Sequence, residues 1–180
     1  PYNPIPARVA ALFHDIGKIT KPEYFAENIP GENKHNELRP RMSSMVIMNH
    51  VKAGLTLASR YRLPRIVRKT IEQHHGTDMV YYFYRKALDA QGDGDTVGEL
   101  EFRYPGPLPS DKTVVLVSLA DACEAACRSI KKPTPAKIEQ MVSDIFERRI
   151  HDGQLDHADI TMGELSIIRD CFIRELTSIH

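Results

Sequence analysis

The chain has 180 residues, of which 42% are hydrophobic, and its 24 basic and 24 acidic side chains give a formal net charge of zero at pH 7. This size and apolar content are typical of one compact domain with a hydrophobic core, and the balanced charge argues against a dedicated nucleic-acid-binding protein. The sequence shows no apolar run near the roughly 20 residues of a membrane-spanning helix and no signal-peptide pattern. Its three cysteines form no CxxC pair, which indicates a reducing compartment.

Proline, glycine and capping residues divide the sequence into helices and loops. Apolar residues at helical spacing predict helices, in chain order, over 7–16, 41–61, 64–75, 78–90, 110–130, 135–150 and 161–178. Polar, proline-rich or glycine-rich composition predicts irregular structure over 20–40, 91–99 and 102–107. Because no stretch alternates in the manner of a β-sheet, the predicted fold class is all-α, a single bundle of about seven helices over residues 1–180.

The first candidate site lies in the apolar stretch ALFHDIGKI, which contains His14 and Asp15. Burying an unpaired imidazole and carboxylate costs free energy, and a metal ion would satisfy both groups. Asp15 has two oxygens and can therefore bridge two ions. A His-Asp pair alone is weak evidence, so its interpretation depends on the rest of the chain.

The remaining histidines fall into two groups. His50, His74 and His75 lie in or at the ends of predicted apolar helices, as His14 does. The other four share polar or terminal surroundings and are interpreted as solvated surface histidines: His35, His151, His157 and His180. Any single helix-borne histidine has an ordinary alternative as a hydrogen-bonded core residue, so the evidence lies in the group as a whole.

Asp121 is the second carboxylate in apolar surroundings, within the stretch VVLVSLADACEAAC. A buried carboxylate needs a cation, and neither lysine nor arginine lies one turn away in the same predicted helix. A metal ion is therefore at least as good a partner as a distant arginine. Imidazole and carboxylate ligands suit Fe, Mn, Zn, Ni or Co, and four histidines with two carboxylates are too many for one tetrahedral zinc. They suit two ions bridged by Asp15, an arrangement that serves phosphoester hydrolysis.

The order His-Asp, His, His-His, Asp resembles that of the HD-domain metal-dependent phosphohydrolases. More narrowly, the chain is similar to the HD domain of the seven-transmembrane HD proteins, the PgpH-type cyclic-di-AMP phosphodiesterases. The matching stretches cover nearly the whole chain: FHDIGKITKPEYFAEN, GENKHNEL, NHVKAGL, IEQHHGT, FRYPGP, LADACEAACRS, PTPAKIEQMV and DGQLD. The cyclic-di-GMP branch fits less well, because the histidine pair there is expected to be followed by glutamate and a Gly-Tyr-Pro segment rather than by Gly76-Thr77-Asp78.

The resemblance implies a dinuclear iron or manganese site that hydrolyses cyclic-di-AMP to linear pApA. Asp15 would bridge the two ions, His14 and Asp121 would bind one, and the second would take the three remaining ligands, His50, His74 and His75. Lys18 would contact a phosphate, with an ordinary alternative as a cation at a helix C-terminus. Arg103 and Tyr104 are candidates for substrate binding, although loop packing is the competing role.

The resemblance also implies a departure, because family members carry a further histidine on a helix upstream of the His-Asp pair. Only 13 residues precede His14, and none is histidine. Two explanations stay open: the ligand has been lost, or the chain is a piece that lacks the first helix, which the start at Pro1 favours. Under the second explanation the chain would be the cytoplasmic piece of a bacterial membrane protein, which contacts the membrane only through segments absent from this chain. One of the two ions would then be held weakly, activity would be reduced, and the chain would tend to form homodimers.

Other functional hypotheses remain beside the phosphodiesterase. A non-catalytic cyclic-dinucleotide sensor would keep every motif, and an HD hydrolase could act on a different nucleotide. A purely structural helical domain would need six costly polar groups to be buried without a shared reason. The partner expected here is cyclic-di-AMP, and no DNA or RNA polymer is expected.

Overall fold

A computed structural model describes residues 3–28, 34–92 and 96–179. These residues form seven α-helices: α1 Pro4–Phe13, α2 Pro40–Arg60, α3 Arg65–Gln73, α4 Tyr81–Asp89, α5 Lys112–Ser129, α6 Pro135–His151 and α7 Met162–Ile179. Five short 3-10 turns lie between them: Ile16–Thr20, Pro22–Tyr24, Ala26–Asn28, Lys34–Glu37 and Glu99–Phe102. The predicted all-α fold class is confirmed, and within these ranges the only β-type pairing is an isolated bridge between Met79 and Arg103.

The helix ends follow the capping chemistry of the sequence. The Asn3 side chain accepts a hydrogen bond from the N–H of Ile5, so α1 begins earlier than predicted and ends at Phe13. Thr161 and Glu164 form a capping box at the start of α7, with Thr161 N–H donating to the carboxylate at 2.9 Å and Glu164 N–H donating to the Thr161 hydroxyl at 3.2 Å.

α4 begins three residues later than predicted because the preceding residues pair with the 102–104 segment. Val80 N–H donates to the Phe102 carbonyl at 2.8 Å, and Tyr104 N–H donates to the Asp78 carbonyl at 2.9 Å. The predicted loops over 20–40 and 91–99 are irregular or 3-10 where they are seen, and their parts at 29–33 and 93–95 lie outside the described residues, as does His180.

Two apolar clusters hold the helices together. The larger one joins α5, α6 and α7 with the turn before α7: Val115, Leu119, Cys123, Cys127, Ile138, Val142, Ile145, Phe146, Leu155 and Leu165. The smaller one consists of Ala58, Val67 and Ile71 of α2 and α3, flanked by partly buried side chains of α1 and of the turn after it. α1 packs against both α3 and α5.

A close crossing of backbones fixes α2 against the turn that follows α1. Gly17 is buried, and a Cβ at this position would collide with the carbonyl of His50 and lie 2.5 Å from the nitrogen of Gly54. Gly54 lies at this close approach, with the backbone nitrogen of Gly17 3.4 Å from the place of its missing Cβ. This crossing places His50 next to Asp15.

Among the described residues, the surface assignment is wrong for His35. Its side chain is only 4% exposed, its Nε2–H donates to the carbonyl of Tyr24 at 2.8 Å, and its ring centroid lies 4.8 Å from that of Phe83. Phe83 belongs to α4 and is distant from His35 in sequence. The residues next to His35 in sequence are polar, so they did not indicate that its side chain is buried. His151 and His157 are exposed, as predicted.

The three cysteines are free thiols, so no disulfide framework joins the helices. Among the helices that the structure describes, none combines the length and apolar character needed to cross a bilayer.

Candidate metal centre

The structure brings the six predicted ligand residues together. His14 and Asp15 follow the end of α1, and His50 lies in the middle of α2. His74 and His75 follow α3 directly, and Asp121 lies on α5. The ligands come from four segments. The glycine crossing brings α2 against the turn after α1, and α1 packs on α3 and α5, so these segments lie side by side.

Three of the histidines are oriented in the same way. His14, His50 and His74 each donate Nδ1–H to a main-chain carbonyl of the preceding turn, which leaves Nε2 with its lone pair toward the centre. The acceptors are the carbonyls of Ala11 at 2.7 Å, Ile47 at 2.6 Å, Thr70 at 2.9 Å and Ile71 at 3.0 Å. Hydrogen bonding at the other ring nitrogen is the usual way in which proteins orient metal-binding histidines.

The ligand atoms that face the centre are buried and have no hydrogen-bond partner in the part of the chain that the structure describes. Nε2 of His14, His50 and His74 and Oδ1 of Asp15 are all enclosed without a hydrogen-bond partner among the described residues. Orphaned polar atoms are costly in a protein interior. Their convergence fits a divalent cation, which would take these lone pairs as ligands.

The potential ligand atoms form two overlapping groups. Asp15, His50, His74 and His75 make one, and His14, His74 and Asp121 make the other, with the atoms of each group all within 4.8 Å of one another. The first group holds the four ligands predicted for one ion, whereas the second holds His14 and Asp121 as predicted but has His74 in place of Asp15. Two ions a few ångströms apart are compatible with overlapping groups of this kind.

Asp15 belongs to the first group and also contacts His14 of the second. Its Oδ1 is 3.2 Å from Nε2 of His50 and 3.7 Å from Nε2 of His74, whereas its Oδ2 is 3.2 Å from Nε2 of His14 and 2.6 Å from Nζ of Lys18. The two oxygens thus face different sets of partners. This is the geometry expected of a carboxylate that bridges two cations.

The electrostatics of the centre favour a charged carboxylate. Burial opposes ionisation of Asp15, but the nearby imidazoles of His14, His50 and His74 outweigh it and hold the pKa of Asp15 well below its usual range. Burial likewise opposes charge on His14, yet the nearby carboxylates of Asp121 and Asp15 raise the pKa of His14 to about 10. A cation bound through Nε2 of His14 would have to displace that proton.

His75 is held as a neutral imidazole. Burial, followed by the charges of neighbouring histidines, lowers the pKa of His75 well below its usual value. Its ring stacks on Tyr104 with centroids 4.1 Å apart and an interplanar angle of 20°. Tyr104, a predicted substrate contact, is buried here and serves as a wall behind His75, and burial raises the pKa of its hydroxyl well above the usual value.

Lys18 lies beside the centre, between two carboxylates. Its Nζ is 2.6 Å from Oδ2 of Asp15 and 2.6 Å from Oε1 of Glu27. Burial opposes its charge, but these two partners raise the pKa of Lys18. The ammonium group is therefore placed at the edge of the site, and Glu27 is a residue that the sequence did not single out.

Arg103 is in a different situation from Lys18. Its five N–H groups donate to the Glu99 carboxylate, the Asp152 carboxylate and the Thr77 carbonyl at 2.6–3.1 Å. Since all its donors are engaged by protein, this geometry favours the predicted alternative, loop packing, over direct substrate contact.

The fold and the site together define a class: an all-α domain with a buried cluster of imidazole and carboxylate ligands suited to divalent metal. The family model for the HD domain matches residues 2–126. The chain belongs to the HD-domain family.

Similar proteins narrow the comparison. The chain is 39% identical over 178 residues to the cyclic-di-AMP phosphodiesterase PgpH of Bacillus subtilis, covering 98% of this chain and 25% of that protein. It is 42% identical over 177 residues to an uncharacterized protein of Synechocystis, covering 96% of this chain and 22% of that protein. The chain thus spans about a quarter of the length of the curated relatives it matches. Among solved structures, the HD domain of Listeria monocytogenes PgpH in complex with cyclic-di-AMP superposes with a TM-score of 0.93 and 39% identity, covering 99% of this chain and 82% of that one.

Proposed function

We propose that this chain is the catalytic domain of a metal-dependent phosphodiesterase that hydrolyses cyclic-di-AMP to linear pApA. The observation that carries the proposal is the carboxylate of Asp15, whose Oδ1 faces His50 and His74 and whose Oδ2 faces His14. The relatives named PgpH support the choice of substrate. Iron and manganese are the metals proposed, because both accept mixed imidazole and carboxylate ligands.

The chain's own residues would divide the work as follows. His14 and Asp121 would hold one divalent ion, the second would be held by His50 with the His74-His75 pair, and Asp15 would bridge the two. Such ions supply Lewis acidity to the attacked phosphodiester when bound. In the overall reaction water adds at phosphorus as one P–O3′ bond breaks, so the product carries a 5′-phosphate and a free 3′-hydroxyl.

Lys18 is the residue proposed to contact the phosphate. Its ammonium group forms salt bridges with Oδ2 of Asp15 on one side and with the carboxylate of Glu27 on the other. A cation on Asp15 would repel Lys18 and weaken that ion pair. The salt bridge to Glu27 would then keep the ammonium group at the edge of the site, where a phosphate oxygen can take the place of Asp15.

The decisive experiment measures metal content and turnover together. The purified chain is loaded with Mn²⁺ or, anaerobically, with Fe²⁺, its bound metal is counted, and it is incubated with cyclic-di-AMP and cyclic-di-GMP. We expect one tightly held ion per chain, a second held more weakly on the His14 and Asp121 side, and pApA from the first substrate. Faster hydrolysis of cyclic-di-GMP would show that the substrate assignment is wrong.

Asp15→Ala tests the bridge, and Asp170→Ala is its matched control because Asp170 is exposed on α7. Asp15→Ala is expected to deplete both ions and abolish turnover, whereas the control should keep both. Loss of a single ion would show that Asp15 does not bridge.

Two outcomes would replace the proposal. Full metal occupancy with binding of cyclic-di-AMP but no pApA would support the sensor hypothesis, and the absence of bound metal would exclude both functions. Homodimerisation and a position on the cytoplasmic side of a bacterial membrane stay predictions from the sequence.

A further inference from the structure

The turn that follows the histidine pair has a demanding backbone. Gly76 N–H donates to the carbonyl of Gln73 at 2.9 Å, and Asp78 N–H donates to the carbonyl of His75 at 2.9 Å. Gly76 has a φ of +53°, in the left-handed region that glycine adopts without steric cost. The position of His75 therefore depends on how the residues of this turn, Gly76, Thr77 and Asp78, are held.

Gln154 binds this turn from the other end of the chain. Its Oε1 accepts a hydrogen bond from Thr77 N–H at 3.0 Å, and its Nε2 donates to the Thr77 hydroxyl at 2.8 Å and to Asp152 at 2.9 Å. The side chain is 1% exposed, so removing it would leave buried polar groups without partners. Gln154 also lies so close to Gly76 that a side chain there would collide with its amide oxygen.

Two arginines complete the attachment of the turn. Arg103 donates to the carbonyl of Thr77 at 3.0 Å and is itself anchored by Asp152. Arg149, which is 3% exposed, pairs with the carboxylate of Asp78 at 2.9 Å. Arg149 connects the 76–78 turn directly to α6. Arg103 connects it, through Asp152, to the turn after α6.

The attachment reaches the His75 ring through Tyr104. Tyr104 N–H donates to the carbonyl of Asp78 at 2.9 Å, and its ring stacks on the imidazole. The turn therefore places both His75 and the wall behind it.

We infer that Gln154 is a positioning residue that fixes the 76–78 turn and thereby sets the place of His75 in the metal centre. Gln154 lies beyond residue 126, where the match to the HD domain ends, so the segment after α6 contributes to the site without supplying a ligand. The inference rests on the proposed function, in which His75 binds metal. Gln154 is not among the candidate metal ligands and acts on the centre through its hydrogen bonds to Thr77.

The test compares Gln154→Ala with Val142→Ala in the full chain. Val142 is fully buried on α6 in the larger cluster, so its truncation destabilises the fold without touching the turn. The first measurement is amide hydrogen exchange of Thr77 by NMR on the metal-free chain, scaled to the global stability of each variant. Gln154→Ala is expected to speed exchange at Thr77 by about tenfold, since its acceptor is gone, whereas Val142→Ala should give no local increase.

The second measurement is the binding of Co²⁺, whose visible absorption reports the coordination around the ion. We expect Gln154→Ala to weaken binding by about tenfold, the lower end for residues that orient metal ligands, and to alter the spectrum. Val142→Ala should leave both unchanged in the folded protein. Gln154→Glu, which keeps the acceptor for Thr77 N–H, should lie between wild type and Gln154→Ala.

Unchanged Thr77 exchange in Gln154→Ala would overturn the inference, and so would equal changes in Co²⁺ binding in Gln154→Ala and Val142→Ala. The proposed function fails separately, through a wild-type chain that binds no metal. In that case the exchange measurement alone decides whether Gln154 holds the turn.

Discussion

Gly17 gives a direct test of the backbone crossing that brings His50 to Asp15, and we predict that Gly17→Ala strongly destabilises the protein. Its φ lies outside the left-handed region, so alanine could adopt the same backbone and the cost comes from space alone. The new Cβ would overlap the carbonyl of His50 and lie 2.5 Å from the nitrogen of Gly54. Both atoms belong to the backbone of α2, which cannot turn aside as a flexible side chain can.

The size of the effect follows from this rigidity. Forcing an extra methyl group into a packed core costs about 1–3 kcal/mol, and backbone neighbours place Gly17→Ala at about 3 kcal/mol. For a domain of this size each kcal/mol lowers Tm by about 2–4 °C, so the expected loss is about 6–12 °C. Relief of the overlap would push α2 outward and lengthen the 3.2 Å separation between His50 and Asp15, so metal affinity should fall as well.

Thermal unfolding followed by circular dichroism, with a metal titration of the folded protein, measures both effects. Gly163→Ala is the matched control, because its Cβ would meet nothing closer than the Thr161 hydroxyl at 4.0 Å. The control should be neutral or slightly stabilising, since alanine is the better helix former. A Tm for Gly17→Ala within about 2 °C of wild type, well below the loss worked out above, would refute the steric argument.

Two further predictions concern regions away from the centre. Hydrogen bonds from Lys112 and Thr161 lower the pKa of Glu164 from 4.5 to about 2. Because the unfolded chain takes up the proton at a higher pH than the folded chain, ionised Glu164 stabilises the fold above pH 4.5, and this contribution is lost as the pH falls toward 2. The Tm difference between wild type and Glu164→Gln should shrink over that range, and an equal difference at pH 6 and pH 2 would contradict the assignment. Burial raises the pKa of the Cys123 thiol to about 12. A thiol reagent at pH 8 should therefore label only half-buried Cys171 in the folded chain, and all three cysteines in urea. Modification of Cys123 in the folded protein would show that the core around α5 opens.

The helices and the candidate ligands were predictable because both leave local signals. Helical periodicity is a property of neighbouring residues, so the predicted boundaries lie within a few residues of those observed. Asp121 stood out as a carboxylate in an apolar helix, and its nearest charged partner is indeed remote in sequence, His14 at 3.5 Å.

The residues that sequence reasoning missed act through distant partners. His35 is covered by Phe83, Glu27 pairs with Lys18, and Gln154 binds Thr77 across 77 positions. Nothing in the few residues around each of them indicates these contacts. The start of α4 shifted for the same reason, because pairing with the 102–104 segment competes with the helix.

The difference between ligands and supporting residues has a chemical cause. A metal ligand must be one of a few residue types, so the four histidines and two aspartates could be recognised from type and surroundings. A residue that holds a turn needs only a donor and an acceptor at suitable distances, which many side chains provide. Gln154 has no distinguishing type, and its role follows only from its buried contacts with Thr77 and its closeness to Gly76. Two kinds of residue thus build the candidate centre: the candidate ligands, which lie on α2 and α5 or follow the ends of α1 and α3, and the segment after α6, whose contacts with the 76–78 turn we infer to set the place of His75.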